Sequence, residues 1–318
     1  MAGIREIANE AGVSISTVSY ALNGSDKISE ATRVRIQKIA KAKGYAPKLA
    51  ARTLKGNKTN IVGVYIPSYQ GEFYGELLDG MQQKLDQLGY DMMVNSGKRP
   101  RKFLSEKLFD GAIVLDHGFT DKDLMQVLDA GRKVVVLDRE ISHKNARMVL
   151  VNNKQGSKEA AEHLLSEKQE EYYIISGPQD SFDANQRIEM AQSIFKNAGI
   201  EAKICQGDFT ESSGYDAARE IFSQKPDSSK AVYALNDNMA IGFYRYAQEH
   251  DIDISGKIKL VGFDNNHAVD FFNPTFPSVS YRKHFWGERA AQTLVDLIEN
   301  KAEVNNTTIS TQLHFRGQ

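Results

Sequence analysis

Apolar positions along the chain fall into three regimes. Between residues 4 and 23 they recur at helical spacing in two short bursts, Ile4, Ile7, Ala8 and Ala11, then Val13, Thr17, Val18, Ala21 and Leu22. An Ala11-Gly12-Val13 turn separates them. Two helices too short to be stable alone, joined by a glycine-containing turn, predict a helix-turn-helix unit. Ser14 is placed to cap the second helix by accepting backbone N–H bonds, and Asn23-Gly24 to end it through a left-handed residue. Its outward face then carries Ile15, Ser16, Ser19 and Tyr20, groups able to reach base edges in a major groove. A third helix opens at Ser29-Glu30, offers Val34, Ile36, Ile39 and Ala40 to a common core, and stops at Gly44.

The second regime is residues 48–60, KLAARTLKGNKTN, basic and Ala-rich with one large apolar side chain, Leu54. It is too short to fold alone and reads as a linker that becomes helical when two copies meet on DNA. The third begins at Ile61, where apolar runs alternate with helical periods. Strands are predicted at 61–67, 90–95, 111–116, 133–138 and 147–152, with helices at 73–88, 121–130 and 155–167. A second series follows, with strands at 172–176, 202–206, 231–235 and 258–263 and helices at 183–198, 213–223 and 239–250. Such alternation predicts α/β lobes with parallel sheets and right-handed crossovers. A last helix, 286–300, is expected to pack on the first lobe, and the tail reads as one final strand. Residues 95–110 leave little room for a helix, which predicts a truncated crossover.

The expected organisation is a helix-turn-helix headpiece at 1–46, a hinge at 47–60 and an effector-binding and dimerisation body at 61–318. Lobe one takes about 61–150 plus 280–302, and lobe two about 151–279 plus 303–318.

Charge sharpens this division. Residues 1–60 hold eleven Lys or Arg against four Asp or Glu, a net of +7. The whole chain of 318 residues is −1, so the remainder carries −8. A basic head on an acidic body is the footprint of a separate nucleic-acid-binding domain. One cysteine, Cys205, excludes an internal disulfide. No apolar run approaches a membrane span, and no secretory h-region opens the chain, so a cytoplasmic protein is expected.

The run GIREIANEAGVSISTVSYALNG…ISEATRVRIQKIAKAKGYAPKLAARTLKG resembles the headpiece and hinge of the lac-repressor/galactose-repressor family. That resemblance implies that the second helix lies in the major groove. It also implies that paired hinge helices enter the minor groove, with Leu54 wedged into the central base step between Ala51 and Lys55. The DNA-facing set is then Ser14, Ile15, Ser16, Ser19, Tyr20, Asn23, Ala51, Leu54 and Lys55. Tyr20 stands where an arginine often reads guanine in the family, so the operator sequence does not carry over.

A ligand site is expected where two such lobes face each other, outside the C-terminal strand ends. Ser68, Tyr69 and Phe73 follow the first strand, and Asp138-Arg139 the fourth. Asn152-Asn153 mark the lobe crossing. Asp180, Asp183 and Arg187 open the second lobe, with Asn236-Asp237 and Asp264-Asn265 at later strand ends. Amides, carboxylates and an arginine fork among aromatic rings suit sugar hydroxyls, which both donate and accept. The resemblance carries effector contacts onto Asp138, Arg187, Asn236 and Asp264, with Ser68, Tyr69 and Phe73 completing the set. Asp138, Asp264 and Asn236 also read as turn or helix caps.

The seven histidines show no metal-ligand spacing, and no nucleophile elbow, P-loop or dinucleotide fingerprint is present, so neither an enzyme nor a cofactor is expected. The resemblance implies a transcription regulator of carbohydrate metabolism genes, a homodimer on palindromic DNA, controlled by a sugar or sugar phosphate. Two other readings remain, a regulator of the same fold using a phosphorylated carrier protein as corepressor, and a sugar-binding transport component.

Overall fold

The computed structural model describes residues 3–22, 25–45, 58–69, 73–224 and 228–316. The chain divides into two compact units, Met1–Thr59 and Asn60–Gln318.

In the first unit, helices α1 (Ile4–Ala11), α2 (Ile15–Leu22) and α3 (Glu30–Ala42) enclose a small core. Ile7, Ala8, Ala11, Val18, Ala21, Ile36 and Ala40 are all buried in it. Gly12 closes α1 at φ +62°, a left-handed setting that glycine adopts without a Cβ penalty. Ser14 caps α2 by accepting from Thr17 N–H at 3.1 Å, and Ser29 caps α3 by accepting from Thr32 N–H at 3.3 Å. The Arg35 guanidinium donates to the Ala11 carbonyl at 3.0 Å, tying α3 to an otherwise open helix end. Asn23, the 46/47 boundary and the hinge residues Ala51, Leu54 and Lys55 lie outside the described residues.

The second unit holds two six-stranded sheets. Lobe one contains β1 (Ile61–Ile66), α4 (Phe73–Gln87), β2 (Asp91–Ser96), α5 (Lys102–Ser105), β3 (Gly111–Val114), α6 (Asp121–Asp129), β4 (Lys133–Val136) and β5 (Ala146–Val151). Lobe two contains α7 (Asn153–Ser166), β6 (Glu171–Ile175), α8 (Phe182–Asn197), β7 (Lys203–Cys205), α9 (Glu211–Gln224), β8 (Lys230–Ala234), α10 (Asp237–Glu249), α11 (Ile254–Lys257), β9 (Ile258–Phe263) and β10 (Ser278–Ser280). Then α12 (Lys283–Ile298) returns to lobe one, followed by β11 (Thr307–Ile309) and β12 (Gln312–His314). The sheet orders are β11-β5-β4-β3-β1-β2 and β12-β10-β9-β8-β6-β7, parallel except for β10 with β12. Every residue of β1, β6 and β8 is buried, because helices cover both faces of a parallel sheet.

The expected short crossover is present. Between β2 and β3 there is only one turn of 3-10 helix, Arg99–Arg101, and the four-residue α5. The space a full helix would cover is filled by Leu104 and Phe109, both buried, and a Cβ at Gly63 would collide with the Phe109 ring. Helix α12 packs on α4 as expected; Gly80 lies against the His284 backbone and Gly287 against that of Leu77.

The tail departs from expectation. The sequence places residues 303–318 in lobe two with one final strand, but β11 pairs with β5 of lobe one and only β12 joins lobe two. Ile309 and Leu313 are each buried in their own sheet, so the chain must change lobes between them. The Thr311 hydroxyl donates to the Asn152 carbonyl at 3.0 Å and pins this crossing to the first one. The lobes are thus linked three times, near residues 152, 281 and 310.

Candidate functional site

On α2 the exposed face carries Ile15, Ser16 and Tyr20, with Ser19 half-buried. Ile15 is 43 % and Tyr20 39 % exposed, which leaves both free to meet a partner. Lys27 Nζ stands 5.4 Å from the Tyr20 ring centre, adding a positive charge beside the aromatic. Ser14 is occupied within the chain, since its hydroxyl also bonds those of Ser16 at 2.7 Å and Thr17 at 2.8 Å.

A cavity of about 490 Å³ opens between the lobes of the second unit, within the range of small-molecule sites. Lobe one supplies mostly ring and aliphatic surface. Phe73 meets Tyr74 edge-on at 5.0 Å and Trp286 at 6.2 Å, with Leu115 and Val151 behind. The Trp286 indole is fixed by donating to the Val149 carbonyl at 2.7 Å. Ser68, His117 and Asp138 complete this wall.

Lobe two supplies the polar wall. The buried Arg187 guanidinium donates through Nε to Asn153 Oδ1 at 2.8 Å and through Nη1 to the Leu235 carbonyl at 2.6 Å. Its central carbon stands over the Phe263 ring, 3.5 Å from the centre. Asn153 donates its amide N–H to Asp183 Oδ1 at 2.6 Å, so one carboxamide on the lobe crossing orients both the cation and the acid. Asp264 is buried at the end of β9 with φ +101°, and its Oδ1 accepts from the Tyr281 hydroxyl at 2.9 Å. A non-glycine residue held there stores strain of about 1–3 kcal/mol, as functional sites often do. Asp208, Glu211 and Asn238 stand beside these groups.

Burial raises the Asp183 carboxyl to about 6 despite Arg187 and Asn153, and the Asp138 and Asp264 charges add to the rise. Burial also raises Asp138 and Asp264. Arg139 opposes the rise at Asp138 by donating to both of its oxygens, at 3.0 and 3.1 Å.

Of the expected effector residues, Ser68, Phe73, Asp138, Arg187, Asn236 and Asp264 all line the cavity. Tyr69 does not. It is 64 % exposed and its hydroxyl donates to the Val94 carbonyl on the edge strand β2, so the ring folds over the sheet edge, away from the cavity. Asn236 also meets the capping alternative. Its Oδ1 accepts from Met239 N–H at 3.0 Å, and its Nδ2 donates to the Phe209 carbonyl at 3.0 Å. Tyr74, Phe182, Phe209, Tyr281 and Trp286 escaped the sequence reading. The one available signal was that Trp286 is the only tryptophan of the chain.

Among the described residues, no group of three or more His, Cys, Asp or Glu is placed to hold a metal ion. None of the described helices is long and apolar enough to cross a membrane. Cys205 is buried in β7, and burial pushes its thiol up to about 12.

Residues 3–48 match the family described as bacterial regulatory proteins, lacI family, and residues 161–317 a periplasmic binding protein-like domain. The chain is 30 % identical over 329 residues to the HTH-type transcriptional repressor PurR of Klebsiella pneumoniae (strain 342), covering 99 % of this chain and 95 % of that one. A sugar-binding transcriptional regulator (LacI family) from Enterococcus faecalis superposes with a TM-score of 0.78 at 38 % identity, covering 81 % of this chain and 97 % of that one. A complex of the transcriptional regulator CelR with cellobiose superposes with a TM-score of 0.74 at 26 % identity, covering 99 % of each chain. A basic three-helix headpiece, a two-lobed body with a cavity between the lobes, and relatives matched over almost their whole length lead to one assignment: the chain belongs to the lacI family of bacterial regulatory proteins, DNA-binding transcription regulators that respond to a small-molecule effector.

Proposed function

We propose that this chain is a repressor of carbohydrate-metabolism genes whose operator affinity is set by a sugar-like effector held between the two lobes. The observation that carries the reading is the mixed lining of the cavity. Rings stand on both lobes, Phe73, Tyr74 and Trp286 on one and Phe182 and Phe209 on the other, and lobe two adds a buried arginine fork and carboxylates, the combination that grips a pyranose or furanose by its apolar face and its hydroxyls. The sugar-binding description of the Enterococcus faecalis relative and the cellobiose held by CelR support it.

On the DNA side, Ile15, Ser16, Ser19 and Tyr20 read base edges from α2, with Asn23 of the sequence as a further DNA contact, while Ser14 caps that helix. Ala51, Leu54 and Lys55 of the hinge enter the minor groove, with Leu54 as the wedge. Two hinges meet on one palindromic site, so the working species is a homodimer in the cytoplasm. Effector binding favours one setting of the lobes, and by linkage changes DNA affinity; a 100-fold change needs about 2.7 kcal/mol of differential binding.

The test is thermal unfolding of the full chain against mono- and disaccharides, their phosphates and purines, followed by operator-binding titrations with any hit. A ligand at 100 times its Kd adds about 2.7 kcal/mol, visible as a raised midpoint. A sugar that both raises the midpoint and shifts operator affinity supports the reading. A ligand that stabilises the protein but leaves operator affinity unchanged defeats it.

A further inference from the structure

We infer that the cavity selects effectors without an anionic group, taking a free sugar and rejecting its phosphate ester; this rests on the sugar-like reading above. Five lining residues are acidic, Asp138, Asp183, Asp208, Glu211 and Asp264, against Arg187 and His117 as the basic ones. Asp138 is neutralised by Arg139, and Glu211 by Arg245 at 2.5 Å. Among the described residues, Asp183, Asp208 and Asp264 have no ion pair, and they are held by uncharged donors instead: Asn153, Thr210 and Tyr281.

A phosphate has two usual ways into such a site, a cluster of cations or the N-terminus of a helix. Both are largely taken here. The one buried cation of the lining, Arg187, has Nε and Nη1 engaged within the chain, which leaves Nη2 as its one uncommitted nitrogen. Lys283, which stands near Asp264, is turned to Asn266 Oδ1 at 3.3 Å and Glu76 at 3.6 Å. Helices α4, α8, α9 and α10 bring their first turns to the cavity, and each carries its own acid there: Glu76, Asp183, Glu211 and Asp237. Three of them also have a side-chain cap on a backbone N–H, from Ser181, Thr210 and Asn236. The positive helix ends are therefore occupied from within. Carboxylates with spare lone pairs accept hydroxyl hydrogens and repel a phosphate.

The experiment is calorimetric titration of the full-length protein at neutral pH with glucose, ribose and cellobiose, each against its terminal phosphate ester. Inorganic phosphate and uncharged nucleosides are further probes. The expected result is a free sugar that binds at least about tenfold more tightly than its ester. In Asp183→Asn, which removes a charge and keeps an oxygen for Asn153, the gap narrows. An ester that binds as tightly as its parent sugar, or inorganic phosphate that saturates the cavity, overturns the charge selection and leaves the sugar reading standing. A nucleoside that binds where no sugar does upholds the charge selection and removes the sugar reading. Silence from every probe overturns both.

Discussion

The two walls of the cavity treat their acids differently. On lobe one, the carboxylates near the site have cationic partners: Asp138 has Arg139, Asp116 has Arg101 at 3.1 Å, and Glu76 has Lys283 at 3.6 Å. On lobe two, Glu211 is paired with Arg245, but Asp183 and Asp264 face the cavity with only amide and hydroxyl partners and share the field of a single guanidinium. Charges already paired have little left for a ligand, whereas desolvated carboxylates short of donors gain from each hydroxyl supplied. In the proposed function lobe two holds the effector, and lobe one, with its rings and internally satisfied ions, closes over it.

The strongest way to break this comparison is Arg187→Ala. It strips the polar wall of its cation and leaves Asp183 and Asp264 facing each other. Effector affinity is expected to fall about 100-fold, and the body to lose about 3 kcal/mol of stability, as when one partner of a buried ionic group is removed. Calorimetry and denaturant unfolding measure the two effects. Arg187→Lys keeps the charge but not the fork, and is expected to rescue stability more than affinity. An effector affinity that survives in Arg187→Ala would place the grip on lobe one instead.

Next in size is the pH response of Asp183. Its carboxyl sits at about 6 in the folded chain, above the ordinary carboxylate range, so the empty cavity takes up a proton as pH falls through 6. Hydroxyl donors favour the ionised form, so effector binding expels that proton. Affinity is therefore flat above pH 6 and declines below it, by at most about tenfold per unit. Stability runs the other way. A raised carboxylate pKa costs the native state at neutral pH, and the cost is relieved on acidification through 6. Titrations across this window should show the decline in wild type and not in Asp183→Asn.

The smallest effect is expected from Arg139→Ala on lobe one. Asp138 then loses both donors, at a cost to stability of about 1–2 kcal/mol. Effector affinity should change only about threefold, half a kcal/mol or so. If this variant loses more affinity than Arg187→Ala, the division of labour between the walls is reversed.

What was legible in the sequence was local. Ser14 and Ser29 cap because a hydroxyl beside a helical period bonds the backbone two or three residues on. The strand ends carried Asp138 and Asp264 because parallel strands of one series deliver their C-termini to one side. The short 95–110 segment announced a truncated crossover by its length alone. What was not legible depends on partners distant in the chain. Trp286 reaches the cavity because its indole is held by Val149, 137 positions away. Tyr69 was drawn off by Val94 on a neighbouring strand. The tail was divided between lobes by two separate sheets competing for Ile309 and Leu313.

That division has a mechanical consequence. With three passes between the lobes, an odd number, the body's first strand lies in one lobe and its last in the other. The DNA-binding unit is joined by peptide bonds to lobe one, whereas the C-terminal strand belongs to lobe two, the lobe with the buried arginine fork. A fluorescent donor placed there and an acceptor on β2 would change separation as the lobes rotate, giving a direct gauge of effector occupancy in the intact molecule.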